Sequence, residues 1–380
     1  MPKQTAPCSS KMTSAAFWTE AKRLQTLELS LIRKVMECAP PNAINLALGE
    51  LGFAMPDALK EQAVKLLYEG NPAYTPNAGL PELRARIGEV HNSQPEQIVI
   101  TNGAEEAVFI ALLATLNPGD VVAIPDPDYT AYSSIAAIFE AEVLRLPFEP
   151  DFQTIDWEKW EILLQRAKVL ILSAPSNPSG FIFDEKSALR FAELVNRHSV
   201  IVIVDEIYAR LWFEVTPTEL SPFVDKLIRI GGLSKSHLLS GWRLGWIIAP
   251  PEMVPSLTKA KQYISTCSHW LSQKLAIFVL SQKGLELAEE VRLKLKASQD
   301  WLKEHFKSTL PKGINEIYFP TASPYVLMRT DDPFAYCSSA AQKGVIMVPG
   351  KAFGEVSKSH VRVNIGVEPT LLRQAFKLLA

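Results

Sequence analysis

The segment Gly232-Leu-Ser-Lys-Ser-His-Leu-Leu-Ser-Gly-Trp-Arg-Leu-Gly-Trp246 places the primary amine of Lys235 eight residues before Arg243. A lysine amine that desolvation or a nearby cation keeps partly deprotonated can form a Schiff base with an aldehyde. An arginine can hold a phosphate with its planar, permanently charged guanidinium. The segment therefore suits a small molecule with an aldehyde and a phosphate, but a surface lysine beside a structural arginine in a glycine-rich turn fits it as well.

A second segment, Val202-Ile-Val-Asp-Glu-Ile-Tyr208, has the pattern of a strand that ends in a carboxylate. Continuous β-branched residues are typical of a strand that is buried on both faces of a parallel sheet. Asp205 follows at the carboxyl end of this strand, which is where open α/β sheets bind their ligands. A carboxylate there can pair with a protonated pyridine nitrogen; a helix cap or a loop acid is the alternative interpretation.

Further upstream, the predicted strand Val169–Leu172 leads into the turn Ser173-Ala-Pro-Ser-Asn-Pro-Ser-Gly180, which offers the amide of Asn177 at another strand end. An aldehyde, a pyridine nitrogen and a phosphate on one molecule describe pyridoxal phosphate. The candidate groups for it, whose joint order is much harder to obtain by chance than any one of them, are Asn177, Asp205, Tyr208, Lys235 and Arg243.

With these residues the chain resembles, over nearly its whole length, the fold-type I pyridoxal-phosphate-dependent aminotransferases of class I/II, the superfamily of aspartate aminotransferase. The resemblance implies that Lys235 carries the cofactor as a Schiff base, that Asp205 pairs with the pyridine nitrogen and that Arg243 binds the phosphate. It also implies that Tyr208 and Asn177 hydrogen-bond the cofactor's phenolic oxygen. The expected catalytic residues are Lys235, Asp205 and Tyr208, and the expected reaction moves an amino group from an L-amino acid to a 2-oxo acid by a ping-pong mechanism.

Three further contacts to the cofactor follow from the same resemblance. The segment 98–109 reads as strand, turn and helix, and its helix N-terminus at Gly103, Ala104 and Glu105 would attract the phosphate. Tyr74 corresponds to the tyrosine that reaches the phosphate of the neighbouring subunit, which implies a homodimer with shared active sites. Tyr129 would stack on the pyridine face. Core packing is the alternative for both aromatic residues.

Substrate contacts are expected near both ends of the chain. The segment Ser359-His-Val-Arg-Val-Asn-Ile365 alternates apolar and polar residues, which predicts a half-buried strand. The resemblance implies that Arg362 grips the substrate α-carboxylate in a bidentate pair, and that Asn177 and the backbone N–H of Gly49 contact the same substrate. An exposed strand arginine and a plain turn are the alternatives.

The sequence departs from the family at several positions. Gly232 stands where a hydroxyl residue commonly donates to the phosphate, so Ser234 or Ser236 would have to replace it. The N-terminal loop reads Gly-Glu-Leu-Gly-Phe at residues 49–53 instead of Gly-Glu-Pro-x-Phe, and the lost proline loosens its backbone. Glu105 replaces a lysine that contacts the distal carboxylate in some aspartate-using relatives. We therefore expect that aspartate and glutamate are not the preferred substrates, although a first-turn helix acid is the plainer interpretation of Glu105.

Composition excludes several other classes of function. A net charge of −2 over 380 residues gives no electrostatic reason to expect nucleic acid or an anionic membrane as partner. No apolar run approaches the ~20 residues of a membrane span, and the polar first 15 residues lack the apolar core of a secretory signal. The scattered cysteines suggest neither a metal site nor a disulfide framework; they are Cys8, Cys38, Cys267 and Cys337. A cytoplasmic location is the expectation.

The order of the elements predicts an α/β fold, with a mostly parallel sheet covered by helices on both faces and a smaller α+β domain built from both termini. A helical pattern covers about residues 15–38, strands and helices alternate over 98–250, and long amphipathic helices fill 252–305. Short strands are expected at 325–328, 345–348 and 361–365. The predicted domains are residues 1–44 (arm and helix of the small domain), 45–255 (large cofactor-binding domain) and 256–380 (interdomain helices and small C-terminal domain).

Two other functions fit parts of the same pattern. A pyridoxal-phosphate-dependent lyase or cyclase would use the same lysine and carboxylate, and an arginine-like substrate would suit Glu105. A ligand-sensing regulator of transcription would need an added DNA-binding domain, for which the chain offers little room and no basic excess. Candidates for the side-chain pocket, or alternatively for the core or an interface, are Phe17, Trp18, Phe53, Thr266 and Ser268.

Overall fold

The computed structural model describes residues 19–37, 39–70, 73–307 and 310–380. The α-helices within these ranges are α1 (Lys22–Gln25), α2 (Leu31–Glu37), α3 (Asp57–Glu69), α4 (Pro81–His91), α5 (Ala104–Thr115), α6 (Thr130–Ile138), α7 (Trp157–Leu164), α8 (Glu185–Arg197), α9 (Val254–Ser265), α10 (Trp270–Val279), α11 (Gln282–His305), α12 (Pro333–Gln342) and α13 (Pro369–Leu379). The β-strands are β1 (Ile44–Asn45), β2 (Ile98–Thr101), β3 (Val121–Asp126), β4 (Glu142–Pro147), β5 (Val169–Ser173), β6 (Ile201–Asp205), β7 (Leu227–Gly232), β8 (Gly245–Ile248), β9 (Glu316–Tyr318), β10 (Tyr325–Arg329), β11 (Val345–Ile346), β12 (Val348–Pro349) and β13 (His360–Asn364).

A seven-stranded sheet in the order β2-β8-β7-β6-β5-β3-β4 forms the centre of the molecule. Strand β8 runs antiparallel to β2 and β7, and the other pairings are parallel. The sequence of β5 explains why helices cover both faces, because Val169 and Ile171 pack into one apolar cluster while Leu170 and Leu172 pack into another. Each such buried side chain contributes about 1.5–3 kcal/mol. The α/β fold predicted from the sequence is confirmed.

A smaller set of strands combines residues from both ends of the chain. Strands β12, β13, β10 and β9 form an antiparallel sheet in that order. Strand β1 pairs in parallel with β11, with Ile44 opposite Val345. This pairing supports the proposal that the first 44 residues contribute to the small domain; the domain boundaries themselves stay predictions.

Three sequence-based expectations about elements were wrong in detail. The helix expected over residues 15–38 is, where the structure describes it, two short helices, α1 and α2, and α1 buries no residue that could hold it against a core. The strand expected at 345–348 is divided, because β11 pairs with β1 whereas β12 pairs with β13. The strand around Arg362 is not half-buried, since all four residues from Val361 to Asn364 are buried. Across the described ranges, no helix is long and apolar enough to cross a membrane.

Candidate active site

A cavity of about 520 Å³ lies at the carboxyl edge of the large sheet, beside strands β10 and β13 of the smaller one. The turn after β7, the start of α5 and helix α2 complete its walls. The structure thus brings together nearly all the side chains predicted from the sequence. The predicted residues that line the cavity are Gly49, Ala104, Glu105, Tyr129, Asn177, Asp205, Tyr208, Ser234, Lys235, Arg243 and Arg362.

Asp205 ends β6 and is buried at the inner wall of the cavity. Its Oδ1 accepts the backbone N–H of Ile207 at 3.1 Å, and its Oδ2 accepts the hydroxyl of Tyr132 at 3.0 Å. Burial raises the pKa of Asp205 to about 6, although these hydrogen bonds and the charge of Lys235 act in the opposite direction. A buried carboxylate of this kind is stabilised by a cation placed next to it.

Lys235 follows β7 and projects its amine into the cavity. Its Nζ donates a hydrogen bond to the carbonyl oxygen of Gly49 at 2.5 Å. The loop that begins at Gly49 therefore contacts the one amine that the sequence singles out. Ser234 lines the cavity, whereas Ser236 is buried with its hydroxyl 2.9 Å from His237 Nδ1. Ser234 is thus the better placed replacement for the hydroxyl missing at Gly232.

Two glycines allow Arg243 to approach the N-terminus of α5. Gly103 has a positive φ of 92°, and a Cβ there would lie 2.7 Å from Arg243 Nη2. A Cβ on Gly245 would lie 2.6 Å from the carbonyl carbon of Gly103. The guanidinium, the first N–H groups of α5 and the Ser234 hydroxyl form a donor set that suits a phosphate. These residues therefore fit the phosphate end of the cofactor that the sequence predicts.

Arg362 is a buried cation, only 1% exposed, so the exposed-arginine interpretation is wrong. Its Nη1 donates to Asn177 Oδ1 at 2.9 Å and its Nη2 to the carbonyl of Ala47 at 2.5 Å. The guanidinium also lies 4.1 Å from the centre of the Tyr325 ring. In the described part of the chain its Nε has no hydrogen-bond partner and no carboxylate neutralises it. A buried guanidinium in this state is suited to an anionic ligand.

Several residues of the site were not found from the sequence. Tyr325 lines the cavity and its hydroxyl lies 2.8 Å from that of Tyr208, both side chains being buried. In the sequence Tyr325 stands at the start of a predicted strand, and this position does not distinguish a residue of the site from an aromatic residue of the core. Tyr132 was also missed, because a buried aromatic residue of a helix such as α6 reads as core. Its ring meets that of Tyr129 edge to face at 5.4 Å.

Asp128 is a second buried carboxylate that sequence reasoning missed. It accepts the hydroxyl of Ser173, the Ser173 N–H at 3.1 Å and the Tyr129 N–H at 2.7 Å. The Ser173 hydroxyl in turn accepts the Asn177 N–H at 2.9 Å. Asp128 therefore joins the turn that carries Tyr129 to the turn that carries Asn177. Burial raises its pKa to about 7.

The remaining predicted residues lie at the rim or away from the cavity. Glu105 is exposed at the rim and has no ion-pair partner among the residues described. Arg33 of α2, which the sequence did not single out, is exposed and lines the same cavity. Tyr74 is 87% exposed and does not line it.

Of the residues suggested for a side-chain pocket, the three that the structure describes do not line the cavity. Phe53 is buried in the core of the small domain, and Ser268 accepts hydrogen bonds from Thr75 and Gln273 away from the cavity. Thr266 is exposed outside it. Phe17 and Trp18 lie outside the described residues, as do Cys8 and Cys38.

The model of the family described as aminotransferase class I and II matches residues 41–379. The probable aspartate aminotransferase of Methanocaldococcus jannaschii is 28% identical over 375 residues, which cover 94% of this chain and 98% of that one. A bifunctional aspartate aminotransferase and glutamate/aspartate-prephenate aminotransferase of Petunia hybrida is 31% identical over 82% of this chain and 71% of its own. The structure of the Thermus thermophilus aspartate aminotransferase with maleate superposes with a TM-score of 0.87 at 24% identity, covering 95% of this chain and 98% of that one.

Proposed function

Because the chain belongs to the aminotransferase class I and II family, it is a pyridoxal-phosphate-dependent aminotransferase, and we propose that the cavity around Lys235 is its active site. The resemblance seen in the sequence is confirmed, and the comparisons do not favour the lyase or cyclase alternative. The observation that carries the proposal is that the buried, incompletely satisfied guanidinium of Arg362 lines the same cavity as Lys235 and Asp205.

The proposed cofactor contacts follow from the donors and acceptors of the cavity. When bound, pyridoxal phosphate supplies an aldehyde that condenses with amines and a protonated ring that withdraws electrons. We assign its phosphate to the N-terminus of α5 at Gly103 and Ala104, to the Ser234 hydroxyl and to the Arg243 guanidinium. Glu105, which follows Ala104 in the first turn of α5, is the exposed acid next to this site. The Asp205 carboxylate would pair with the protonated ring nitrogen, and this cation would offset the cost of burying the carboxylate.

Three further side chains orient the ring in this proposal. Tyr129 would stack on the pyridine face, and Tyr208 and Asn177 would donate hydrogen bonds to the phenolic oxygen. The assignment of Asn177 is supported by its own contact, because its Oδ1 already accepts from Arg362 and its amide N–H groups remain to donate.

Other residues of the cavity bind the amino acid substrate, move its Cα proton and exclude water. Arg362 holds the α-carboxylate through a two-pronged pair, with Asn177 and the Gly49 N–H beside it, and thereby fixes the position of the substrate Cα. The amine of Lys235 is placed to act as the general base, which would remove the substrate Cα proton and deliver it to the aldehyde carbon of the bound cofactor. The 49–53 loop, which Lys235 contacts through the Gly49 carbonyl, is placed to exclude water.

We also propose that neutral or cationic amino acids are better donors than aspartate or glutamate. Glu105 is an exposed carboxylate at the cavity rim without an ion-pair partner among the described residues, so it would repel a second carboxylate on the substrate. At ~4 Å this repulsion is of the order of 1 kcal/mol in water and larger where water is excluded. Turnover of aspartate above that of neutral and basic amino acids would contradict this proposal. In that case Arg33, which also lines the cavity, would be the cation that pairs with the distal carboxylate.

The proposed assembly is a homodimer in which Tyr74 reaches the phosphate of the neighbouring subunit. Its 87% exposure supports this proposal, and Tyr68 and Tyr263 are similarly exposed at 90% and 83%. Exposed aromatic side chains of this number are typical of an interface. A cytoplasmic location is likewise proposed, supported by the free thiols of Cys267 and Cys337.

The test is the absorption spectrum of the purified protein while amino acids are added one at a time. We expect a cofactor band that particular amino acids convert to that of pyridoxamine phosphate, and that a 2-oxo acid then restores. Release of a 2-oxo acid without any acceptor would contradict transamination. The absence of any cofactor band after pyridoxal phosphate is added would contradict the assigned roles of Lys235, Asp205 and Arg243.

A further inference from the structure

Lys261 is a buried lysine that the proposed chemistry does not use. It lies on α9, its side chain is 0% exposed, and its Nζ donates to Glu106 Oε2 at 3.0 Å and to Ser265 Oγ at 2.5 Å. Burying an ammonium group costs free energy unless it is well paired, and replacing such a pair with apolar side chains is often neutral or stabilising. Stability alone therefore does not account for a lysine at this position.

The ion pair is connected directly to the turn that precedes α5. Glu106 Oε2 accepts the backbone N–H of Asn102 at 2.5 Å, and Glu106 Oε1 accepts the Asn102 side-chain amide at 3.2 Å and the Ser265 hydroxyl at 2.6 Å. The same amide of Asn102 also donates to Ser265 at 3.1 Å. Asn102 immediately precedes Gly103, so the group Asn102, Glu106, Lys261 and Ser265 holds this turn from the side of α9.

The charge of Glu106 makes Lys261 important for an anion at this turn. Glu106 lies in the first turn of α5, which is also the proposed site of the phosphate. Burial acts to raise the pKa of Glu106, but the hydrogen bonds from Asn102 and Ser265 and the contact with Lys261 lower it overall, so the group is an anion. Two anions at one helix N-terminus repel each other and compete for the same dipole. The ammonium of Lys261 cancels one of them.

We propose that Lys261 is a positioning residue for the cofactor, which neutralises Glu106 and, through Asn102, fixes the Gly103 turn so that the N-terminus of α5 accepts a phosphate. The inference rests on the proposed placement of the phosphate at this turn. It predicts that Lys261 matters for pyridoxal phosphate but not for pyridoxal, which has the same ring and aldehyde without the phosphate. A purely structural role would change the binding of both molecules equally.

The experiment measures the affinity of the cofactor-free protein for pyridoxal phosphate and for pyridoxal, by absorbance titration and equilibrium dialysis, together with thermal unfolding. The variants are Lys261→Met and the double variant Lys261→Met/Glu106→Gln, which leaves no unpaired buried charge and therefore folds even where the single variant does not. Lys168→Met, which removes another ion-paired lysine, is the control. Lys168 pairs with Asp120 at 2.6 Å, and these residues precede β5 and β3 at the opposite edge of the sheet.

We expect Lys261→Met to weaken binding of pyridoxal phosphate by roughly tenfold or more, the size of a lost interaction with a charged group, and that of pyridoxal by less than about twofold. The double variant restores the affinity for pyridoxal phosphate to within about threefold of the original. Lys168→Met changes neither affinity.

Three results would overturn the inference. They are an unchanged affinity in Lys261→Met, equal losses for both molecules, and a double variant as weak as the single one. If the unaltered protein binds pyridoxal phosphate no better than pyridoxal, the proposed placement of the phosphate fails first and the inference falls with it. The behaviour of the unaltered protein thus separates the two failures.

Discussion

The hydroxyl groups of Tyr208 and Tyr325 lie 2.8 Å apart, and the ring of Tyr325 faces the Arg362 guanidinium at 4.1 Å. Tyr325 therefore contacts both a residue assigned to the cofactor and the residue assigned to the substrate carboxylate. A Cβ on Gly49 would collide with the same hydroxyl, so the N-terminal loop also closes against it. Tyr325 thus contacts the cofactor side of the proposed site through Tyr208, the substrate side through Arg362, and the N-terminal loop at Gly49.

Replacing Tyr325 with Phe removes this hydroxyl and keeps the ring beneath Arg362. We expect kcat to fall several-fold, because Tyr208 loses a hydrogen bond worth about 0.5–1.5 kcal/mol, while KM for the amino acid stays unchanged. Steady-state kinetics with kcat and KM measured separately check this. Tyr336→Phe is the control, since the buried hydroxyl of Tyr336 has no partner within the described residues. A higher KM at constant kcat would show instead that Arg362 had moved.

Replacing Arg362 with Lys keeps the charge but loses the planar fork. We expect kcat/KM to fall by roughly 100-fold, mostly through KM, which is the size of one or two lost hydrogen bonds to a charged group. The absorption of bound cofactor should not change. Arg292→Lys is a matched control, because Arg292 pairs with Glu289 on α11 away from the cavity. Equal kinetic losses in both variants would refute a role in binding the substrate.

The buried carboxyl of Asp128 predicts a pH dependence of stability. Its pKa in the folded protein is raised to about 7 from an ordinary value of 3.8, so its favourable contribution is complete below about pH 4 and is lost as the pH rises through about 7. Asp128→Asn does not titrate. We therefore expect the variant to be least stable relative to the original protein at low pH and to recover by up to ~4 kcal/mol towards pH 8. Denaturant unfolding at several pH values measures this, and a difference that is independent of pH would contradict it.

Replacing Glu105 with Lys reverses the charge at the cavity rim. We expect the ratio of kcat/KM for aspartate to that for a neutral amino acid to rise by about tenfold or more, because a repulsion becomes an attraction. High salt should reduce the effect. Glu96→Lys is the control, since Glu96 is exposed outside the cavity. An unchanged ratio would mean that Glu105 does not face the substrate side chain.

The proposal that two subunits share their active sites can be tested by mixing two variants that we expect to be inactive. In Tyr74→Ala each subunit lacks its contribution to the neighbour, and in Lys235→Ala each lacks its own amine. A mixed dimer has one complete site, so we expect activity after the two are unfolded and refolded together. Activity no higher than that of either variant alone would contradict the proposed role of Tyr74, provided that gel filtration shows dimers.

The predicted residues that the structure brings into one cavity owe their positions to local sequence patterns. Asp205 and Asn177 each follow an apolar run that has to be a buried strand, and parallel strands bring their carboxyl ends to one edge. Lys235 and Arg243 lie on one short turn after the next strand. Their meeting in one cavity thus follows from the topology alone, and it needs no knowledge of side-chain packing.

The residues that were missed have no such local origin. Asp128 and Lys261 lie in segments that read as a turn and an amphipathic helix. The hydrogen bonds that give each of them a role are made with residues 45 and 155 positions away in the sequence. The position of Arg33 could not be predicted, because it depends on the break between α1 and α2. That break arises because α1 buries no residue against the core, which is a tertiary property. Burial of a charge is a tertiary property, and a sequence pattern does not display it.

Because Ile44 of β1 pairs with Val345 of β11, β1 is synthesised early but can pair with its partner strand only late. On the ribosome β1 emerges early, but its partner strand is made about three hundred residues later, since Ile44 pairs with Val345. Strands β2 to β8 are complete well before that, so the large sheet can fold while β1 waits as an unpaired extension of the nascent chain. A chain that stops before β11 would therefore carry a folded sheet and an exposed strand edge, which is a substrate for chaperones and a starting point for aggregation.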